Sequence, residues 1–235
     1  LAVVSSCEEL LFPAHRAPGL TAEADTLCRE SGGRILGTGV NPGFVLDLLP
    51  LVLSGICADI QAVRGTRVVD AATRREPLQR KVGSGLEPEE YRQMWASGAA
   101  GHAGFQESLM LVAHALGWDV GPLTETLEPV IAESPVHTAY FDVEPGQVRG
   151  LHQHVRAETA EGRAIDLDLT MALGEPNPHD TLQLEANPPV NLRIDGGIAG
   201  DIATAAALVN ALPALHAARP GVRLLTELVP ITCKA

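Results

Sequence analysis

The order of apolar and polar positions at the start of the chain predicts a strand, a helix and a second strand. Leu1 to Ser6 is an extended apolar run, and Arg34 to Thr38 is another. Between them, Thr21 to Ser31 has helical spacing, with Thr21 as candidate N-cap and Gly32-Gly33 as a stop signal. Two strands joined by a crossover helix form a parallel unit, which binds ligands at the carboxyl ends of its strands. We therefore expect a ligand site at those ends.

The rest of the chain follows other periods. Apolar residues have helical spacing in Glu87 to Ala96 and in Ala103 to Leu116. Two more helices are predicted, one from the strongly apolar run Phe44 to Cys57 and one from the Ala-rich segment Asp201 to Ala217. Ile60 to Ala72 is a long β run, and Leu123 to Ile194 consists of short β-like runs cut by Pro and Gly. The second pattern predicts a largely antiparallel or mixed sheet.

These elements predict an α/β protein in which the C-terminal part of a Rossmann domain is followed by a mixed-sheet α+β domain. Residues 1–41 are assigned to the last β-α-β part of the nucleotide-binding domain. Residues 42–199 are assigned to a mixed-sheet domain for substrate and dimer contacts, and residues 200–235 to a helix that packs back on the first part. The chain starts at Leu1 rather than Met, and we expect the beginning of the nucleotide-binding domain to precede it.

Composition narrows the possible partners. The chain has 17 Lys plus Arg against 29 Asp plus Glu, a net charge of −12, and 3% aromatic residues. That field repels a polyanion and few rings can stack on bases, so nucleic acid is not an expected partner. No apolar stretch approaches the roughly 20 residues of a membrane span. The four cysteines are scattered, as expected of reduced thiols in the cytoplasm.

No G-x-G-x-x-G fingerprint of a dinucleotide-binding turn follows a strand in this chain. The glycine-rich segment GTGVNPGF at 37–44 has a different spacing and includes Pro42. It is either a tight structural turn between a strand and a helix or a backbone segment open to a ligand. The residues alone leave both interpretations open.

Several segments occur together in one order: VVSSCEEL at 3–10, GTGVNPGF at 37–44, VVDAATRR at 68–75 and GDIAT at 200–204. Together they resemble the 2,4-diaminopentanoate dehydrogenase family over essentially the whole chain. That family is similar in fold to dihydrodipicolinate reductase and includes native amine dehydrogenases. The resemblance implies an enzyme that uses NAD or NADP and acts on an amine or amino acid. We also expect a homodimer that forms through the mixed sheet, because this sheet must cover its apolar face with helices or a partner.

Oxidative deamination removes hydride from a carbon that bears an amine and leaves an iminium, which water then attacks. The reaction needs a base and a negative charge near the developing cation, and a carboxylate supplies both. Glu8 and Glu9 follow the first strand. Neighbours in an extended segment point oppositely, so only one of them can face the substrate. We predict Glu8, which the resemblance also favours, and keep Glu9 as the alternative.

Substrate contacts are assigned to His102, Arg67 and Phe44. His102 lies at a predicted helix start, where it either donates to a substrate carboxylate or only caps the helix. Arg67 is chosen among the arginines of the long β run because a guanidinium binds a carboxylate in a bidentate way. Lys81 and Lys234 are the two lysines of the chain, and neither lies in a His-rich segment. Schiff-base chemistry and the His-His and Lys motif of dihydrodipicolinate reductase are therefore not expected.

The cofactor contacts implied by the resemblance are Ser5, Ser6, Asn41, Gly43 and Thr204. No metal site is predicted: His152 and His154 share one face of a strand without an evident third ligand, which favours an ordinary polar face over zinc. His179-Asp180 is interpreted as a turn. Two alternative functions stay open, a dihydrodipicolinate-type imine reductase and a non-catalytic binding module that lacks a complete nucleotide-binding domain.

Overall fold

A computed structural model describes residues 1–98, 100–228 and 230–233. In chain order its strands and α-helices are β1 (Ala2–Ser5), α1 (Pro18–Ser31), β2 (Arg34–Gly37), α2 (Leu48–Ser54), β3 (Asp59–Asp70), α3 (Glu76–Lys81), α4 (Pro88–Ala96), α5 (Phe105–Leu116), β4 (Thr124–Ile131), β5 (Val136–His137), β6 (Asp142–Val143), β7 (Val148–Glu158), β8 (Ala164–Ala172), β9 (His179–Asn187), β10 (Val190–Asp195), α6 (Gly200–Ala217) and β11 (Gly221–Arg223).

The first part of the chain forms a parallel sheet in the order β1-β2-β11. The predicted pairing of the two opening strands is confirmed, with Val3 opposite Ile35. Helix α1 begins at Pro18 rather than at the predicted N-cap Thr21, since a proline is favourable in the first turn, where its missing N–H has no partner. It ends at Gly32, whose φ of +72° closes the helix in the left-handed conformation. The short strand β11 was not predicted.

The second sheet has six strands in the order β10-β9-β3-β8-β7-β4. Strands β3 and β8 are parallel and the other neighbours are antiparallel, so the predicted mixed sheet is confirmed. Its buried face carries Ile165, Leu167 and Leu169 of β8, which are fully buried in one cluster with Leu109 and Val112 of α5. The other face is polar, as alternation along the strands requires.

The prediction of a helix from Phe44 to Cys57 is wrong at both ends, because α2 covers only Leu48–Ser54. Asp47 is fully buried, and its carboxylate accepts the backbone N–H of Leu48 and that of Gly43. This cap starts the helix at Leu48 and leaves the preceding residues in turns. A continuous apolar run has no period that could have revealed this boundary.

Helix α6 packs back on the first sheet, as predicted. Ala211 and Leu215 are its fully buried side chains on that side, in a cluster with Leu36 of β2. Ala205 and Ala206 of this helix are exposed. The predicted domain boundaries after residues 41 and 199 stay predictions. Within the described residues, no helix has the length and apolar character needed to cross a membrane.

Candidate active site

A cavity of about 580 Å³ opens where the carboxyl ends of β1 and β2 meet the end of β3 and the start of α6. This is the edge at which a parallel unit binds ligands. Six residues predicted to contact substrate or cofactor line it: Ser6, Glu8, Asn41, Arg67, His102 and Thr204. The fold therefore brings together residues that lie up to about 200 positions apart in the chain.

Four other predicted residues do not line this cavity. Glu9 is exposed and faces a separate groove beside α1, and Phe44 is 38% exposed beside an apolar groove next to α6. The Ser5 hydroxyl accepts the backbone N–H of Cys7, and the backbone N–H of Gly43 donates to Asp47. The assignment of Phe44 as a substrate contact stays a prediction that the lining of this cavity does not support. Ser5 and Gly43 hold the backbone of the cavity walls in place through these two hydrogen bonds.

Glu8 begins a single turn of 3-10 helix, Glu8–Leu11, rather than continuing the strand. The choice of Glu8 over Glu9 thus rests on the helical turn and not on the predicted alternation of an extended segment. Its Oε1 lies 3.8 Å from Lys81 Nζ and 3.9 Å from His102 Nδ1. Burial raises the pKa of the Glu8 carboxyl, and the Lys81 ammonium opposes that rise. A carboxylate with a raised pKa is a stronger base than an exposed one, which suits it to accept a proton from a substrate.

His102 lies in the loop before α5, not at the helix start, because α5 begins at Phe105. Its Nε2 is 2.8 Å from the carbonyl oxygen of Asn41 and donates to it. Burial lowers the pKa of His102 to about 4, so the ring is neutral at pH 7. The ring nitrogen left at the cavity, Nδ1, can accept a hydrogen bond but not donate one. Donation from His102 to a substrate carboxylate therefore does not fit this geometry, whereas acceptance from a substrate N–H does.

The backbone of His102 is held by Gln153, a buried residue of β7. Gln153 Oε1 accepts the His102 N–H at 2.7 Å, and Gln153 Nε2 donates to the His102 carbonyl at 3.2 Å and to Glu125 Oε1 at 2.8 Å. Sequence reasoning missed this residue. The sequence feature that could have indicated Gln153 is a glutamine at an inward position of β7, between the buried side chains of Leu151 and Val155.

The segment at 37–44 is both a structural turn and a wall of the cavity. A Cβ on Gly43, whose φ is +124°, would lie 2.2 Å from the backbone nitrogen of Gly39, so the turn requires glycine there. Gly39 and Asn41 line the cavity. The side-chain oxygen of Asn41 is buried and has no hydrogen-bond partner among the described residues. The segment is therefore a tight structural turn whose residues also face the cavity, and its contact with a ligand stays a prediction.

Arg67 is buried at the end of β3, with its side chain 3% exposed. Its Nη2 donates to the carbonyl of Ile198 at 2.5 Å, and its Nε lies 3.7 Å from Asp180 Oδ1. The interpretation of His179-Asp180 as a turn is wrong. Strand β9 starts at His179, and Asp180 also accepts the N–H of Ile198 at 2.8 Å. Arg67 thus ties β9 and the loop before α6 to the cavity wall.

Two further arginines meet the start of α6. Arg74 binds Asp201 with two hydrogen bonds, at 2.9 and 3.2 Å, and Arg75 reaches the same carboxylate at 3.3 Å. A Cβ on Gly200 would lie 2.6 Å from Arg74 Nη1, so a side chain there would displace this guanidinium from the helix start. These four residues belong to the segments 68–75 and 200–204, which both carry the family resemblance. The contact between the two segments explains why they occur together.

His152 and His154 lie on the polar face of the six-stranded sheet. Each pairs at 2.7 Å with an aspartate of the neighbouring strand β8, His152 with Asp168 and His154 with Asp166. The part of the chain that the structure describes contains no group of three or more His, Cys, Asp or Glu side chains that could hold a metal ion. Lys234, the second lysine considered above, lies outside the described residues.

The depressed pKa of His102 predicts a pH-dependent stability. The unfolded histidine takes up a proton near pH 6.5, whereas the folded one stays neutral down to about 4. The free energy of unfolding therefore contains a contribution that is present above pH 6.5 and lost as the pH falls to 4. We expect the free energy of unfolding of His102→Asn to depend less on pH between 4 and 6.5. At about 1.4 kcal/mol per pKa unit, the difference from the wild type reaches up to roughly 3 kcal/mol.

Urea denaturation at several pH values measures this effect. His137→Asn is the matched control, because the His137 side chain is 67% exposed. Equal slopes for the wild type and His102→Asn between pH 4 and 6.5 would contradict the prediction.

Comparison with known proteins identifies relatives of the chain. Residues 44–234 match the family model of the 2,4-diaminopentanoate dehydrogenase C-terminal domain. The chain is 30% identical over 233 residues to the 2,4-diaminopentanoate dehydrogenase of Acetoanaerobium sticklandii. This alignment covers 96% of this chain and 66% of that protein. It is also 30% identical over 128 residues to an amine dehydrogenase of Streptomyces virginiae, over 54% of this chain and 34% of that one.

The fold has a solved counterpart in the amine dehydrogenase from Mycobacterium smegmatis. The TM-score is 0.87 at 24% identity, over 100% of this chain and 70% of that one. The predicted fold class is thereby confirmed. The chain spans about two thirds of the length of its curated relative from A. sticklandii. The chain belongs to the 2,4-diaminopentanoate dehydrogenase family, through the C-terminal domain that its residues 44–234 match.

Proposed function

We propose that this protein is an NAD(P)-dependent dehydrogenase that oxidatively deaminates a primary amine of a diamino acid such as 2,4-diaminopentanoate. The reverse reaction is reductive amination. The observation that carries the proposal is the Glu8 carboxyl in the cavity at the carboxyl edge of the parallel strands. Two relatives also support the proposal, since one is named a 2,4-diaminopentanoate dehydrogenase and the other an amine dehydrogenase.

The Glu8 carboxylate has two tasks in this reaction. It first takes a proton from the substrate ammonium and passes it to solvent, so that the nitrogen lone pair can assist the loss of hydride from the adjacent carbon. The carboxylate, ionised again, then stabilises the iminium cation by its negative charge. Water adds to the C=N bond with loss of a proton to Glu8, which returns it to the carbinolamine nitrogen. Ammonia leaves as the hydroxyl gives up its proton and the ketone forms. His102 Nδ1, 3.9 Å from Glu8 Oε1, accepts a substrate N–H and orients the amine between the two groups.

The residues at the cavity fit a nicotinamide. The Asn41 side-chain oxygen is buried and finds no hydrogen-bond partner in the part of the chain that the structure describes, so it is a suitable acceptor for a carboxamide N–H. Gly39 leaves the wall flat, and the hydroxyl residues Ser6 and Thr204 line the same cavity. When bound there, NAD or NADP accepts the hydride from the amine carbon. The predicted contacts of Ser5 and Gly43 would then be made through the backbone positions that these residues hold in place.

The charges around the cavity favour a substrate that carries a carboxylate. Of the side chains that line it, three are cations, Arg67, Arg74 and Arg75, and two are carboxylates, Glu8 and Asp201. With His102 neutral, one positive charge is left in excess, which attracts an anionic group. Arg67, chosen from the sequence for this task, is partly neutralised by Asp180. Arg75, with its side chain 80% exposed, has the more accessible guanidinium.

A homodimer through the mixed sheet and a cytoplasmic location remain part of the proposal. The polar face of the six-stranded sheet offers a surface for a second copy. It carries paired charges such as His152 with Asp168 and Arg64 with Glu185, and not the apolar face expected from the sequence.

The test is an assay of the protein expressed from its complete gene with NAD⁺ or NADP⁺. We expect 2,4-diaminopentanoate to drive the formation of reduced nicotinamide. Butane-1,3-diamine, which keeps both amines but lacks the carboxylate, should give a kcat/KM at least about tenfold lower, as expected for the loss of one charge-assisted contact. Reduction of a cyclic imine without oxidation of any amine would favour the imine reductase instead. Absence of turnover with every amine would contradict the proposal.

A further inference from the structure

Lys81 lies beside Glu8 although nothing in the sequence pattern singles it out. It is the last residue of α3, and its Nζ is 3.8 Å from Glu8 Oε1. The two side chains are 42% and 29% exposed, so the pair is partly shielded from solvent. Glu8 belongs to the first part of the chain, and Lys81 comes after the long strand β3. Only the folded chain brings them together.

Helix α3 is fixed by a buried side chain two residues before Lys81. Gln79 is fully buried, and its Nε2 donates to the carbonyls of Ala72 at 3.1 Å and of Arg74 at 2.8 Å. Its Oε1 accepts the hydroxyl of Thr138 at 2.9 Å. These three hydrogen bonds of the Gln79 side chain are all made inside the protein and hold the short helix in place. The backbone of Lys81 therefore has a defined position next to the cavity.

The charged groups around Glu8 come from three elements besides α3. Glu9 is on the same helical turn, Glu107 is on α5 with its carboxylate paired to Arg16, and His102 is in the loop before α5. Burial, Glu9 and Glu107 all raise the pKa of Glu8, whereas Lys81 lowers it. His102 is neutral at pH 7 and contributes no charge there. Of these groups, Lys81 is the one that favours the ionised carboxylate.

We infer that Lys81 is a positioning residue, whose ammonium keeps the Glu8 carboxylate ionised and turned toward the cavity, ready to accept a proton. The inference rests on the proposed function for its purpose, although the electrostatic pairing can be measured without it. Lys81 itself forms no bond with the substrate. An opposite charge at this distance lowers a carboxyl pKa by about 1 unit or more, less where water screens the pair.

The experiment compares Lys81→Met with Arg80→Met, which removes the same charge one residue away. Arg80 pairs with Glu76 and stacks on Phe141, so it does not act on Glu8. The first measurement is the titration of the Glu8 carboxyl carbon by NMR, assigned with Glu8→Gln. We expect Lys81→Met to move the midpoint up by about 1 pH unit and Arg80→Met to leave it unchanged, with Lys81→Arg restoring it.

The second measurement is the pH profile of kcat/KM for amine oxidation by the enzyme from the complete gene. We expect the acid limb to move up with the NMR midpoint in Lys81→Met, giving about tenfold lower kcat/KM below the limb. An unchanged Glu8 titration in Lys81→Met, or equal shifts in both variants, would overturn the inference. A shifted titration in a protein without amine turnover would support the pairing and contradict only the proposed function.

Discussion

Replacing Glu8 by glutamine is expected to lower turnover by about 10²- to 10⁴-fold, the range usual for the loss of a general base. Glutamine keeps the size of the side chain but can neither take a proton nor offset the charge of an iminium. The loss should therefore appear in kcat and in kcat/KM, since the interaction is made mainly as the cation develops. Steady-state kinetics with a diamino acid and NAD⁺ or NADP⁺ measure it. The dissociation constant of the cofactor should change little.

Glu9→Gln is the matched control for this prediction. Both variants remove one negative charge from the same turn of 3-10 helix, but Glu9 is exposed and lies outside the cavity. We expect Glu9→Gln to keep near-normal turnover. If Glu9→Gln loses turnover and Glu8→Gln keeps it, the roles of the two carboxylates are reversed.

The first sheet could be predicted because its signals are local. Two short apolar runs flank a helix that ends at Gly32, and a crossover between such strands has essentially one arrangement. The start of that helix was placed three residues late, because Thr21 looks like an N-cap while Pro18 is the residue that begins it. The extent of α2 depended on the buried carboxylate of Asp47, whose contacts only the fold reveals.

Topology alone could predict the part of the candidate site whose residues sit at strand ends. Ser6, Glu8 and Asn41 follow the carboxyl ends of β1 and β2, and topology alone places them at one edge. Lys81 and Gln153 come from elements whose position relative to that edge depends on the packing of the second sheet. A partly exposed lysine and a single inward glutamine carry no spacing signal of their own. Their importance becomes visible in their contacts with Glu8 and His102.

One buried carboxylate joins two walls of the cavity. Asp47 Oδ2 accepts the N–H of Gly43 at 2.8 Å and the hydroxyl of Ser108 on α5 at 2.7 Å. The first bond holds the turn that presents Asn41, and the second holds the helix that follows His102. The hydrogen bond between His102 and Asn41 is therefore braced on both sides. This explains how a loop residue and a turn residue keep a defined geometry without lying on a strand or helix.

The largest expected loss of stability comes from the buried pair of Arg67 and Asp180, whose side chains are 3% and 1% exposed. Burial lowers the pKa of Arg67 and raises that of Asp180, so each charge depends on its partner to remain in the interior. Asp180→Ala leaves the guanidinium buried without a counter-charge. We expect the free energy of unfolding, measured by urea denaturation, to fall by about 3–5 kcal/mol.

Two further variants identify the cause of that loss. Asp195→Ala breaks the surface pair of Asp195 and Arg193, in which the Asp195 side chain is 86% exposed. It should lower the free energy of unfolding by at most about 1 kcal/mol. Arg67→Met combined with Asp180→Leu removes both buried charges together and should regain most of the stability, because no unpaired charge remains. If the double variant is as unstable as Asp180→Ala, the loss arises instead from the hydrogen bonds that both side chains make to Ile198. If Asp180→Ala costs no more than Asp195→Ala, the buried pair does not stabilise this wall of the cavity.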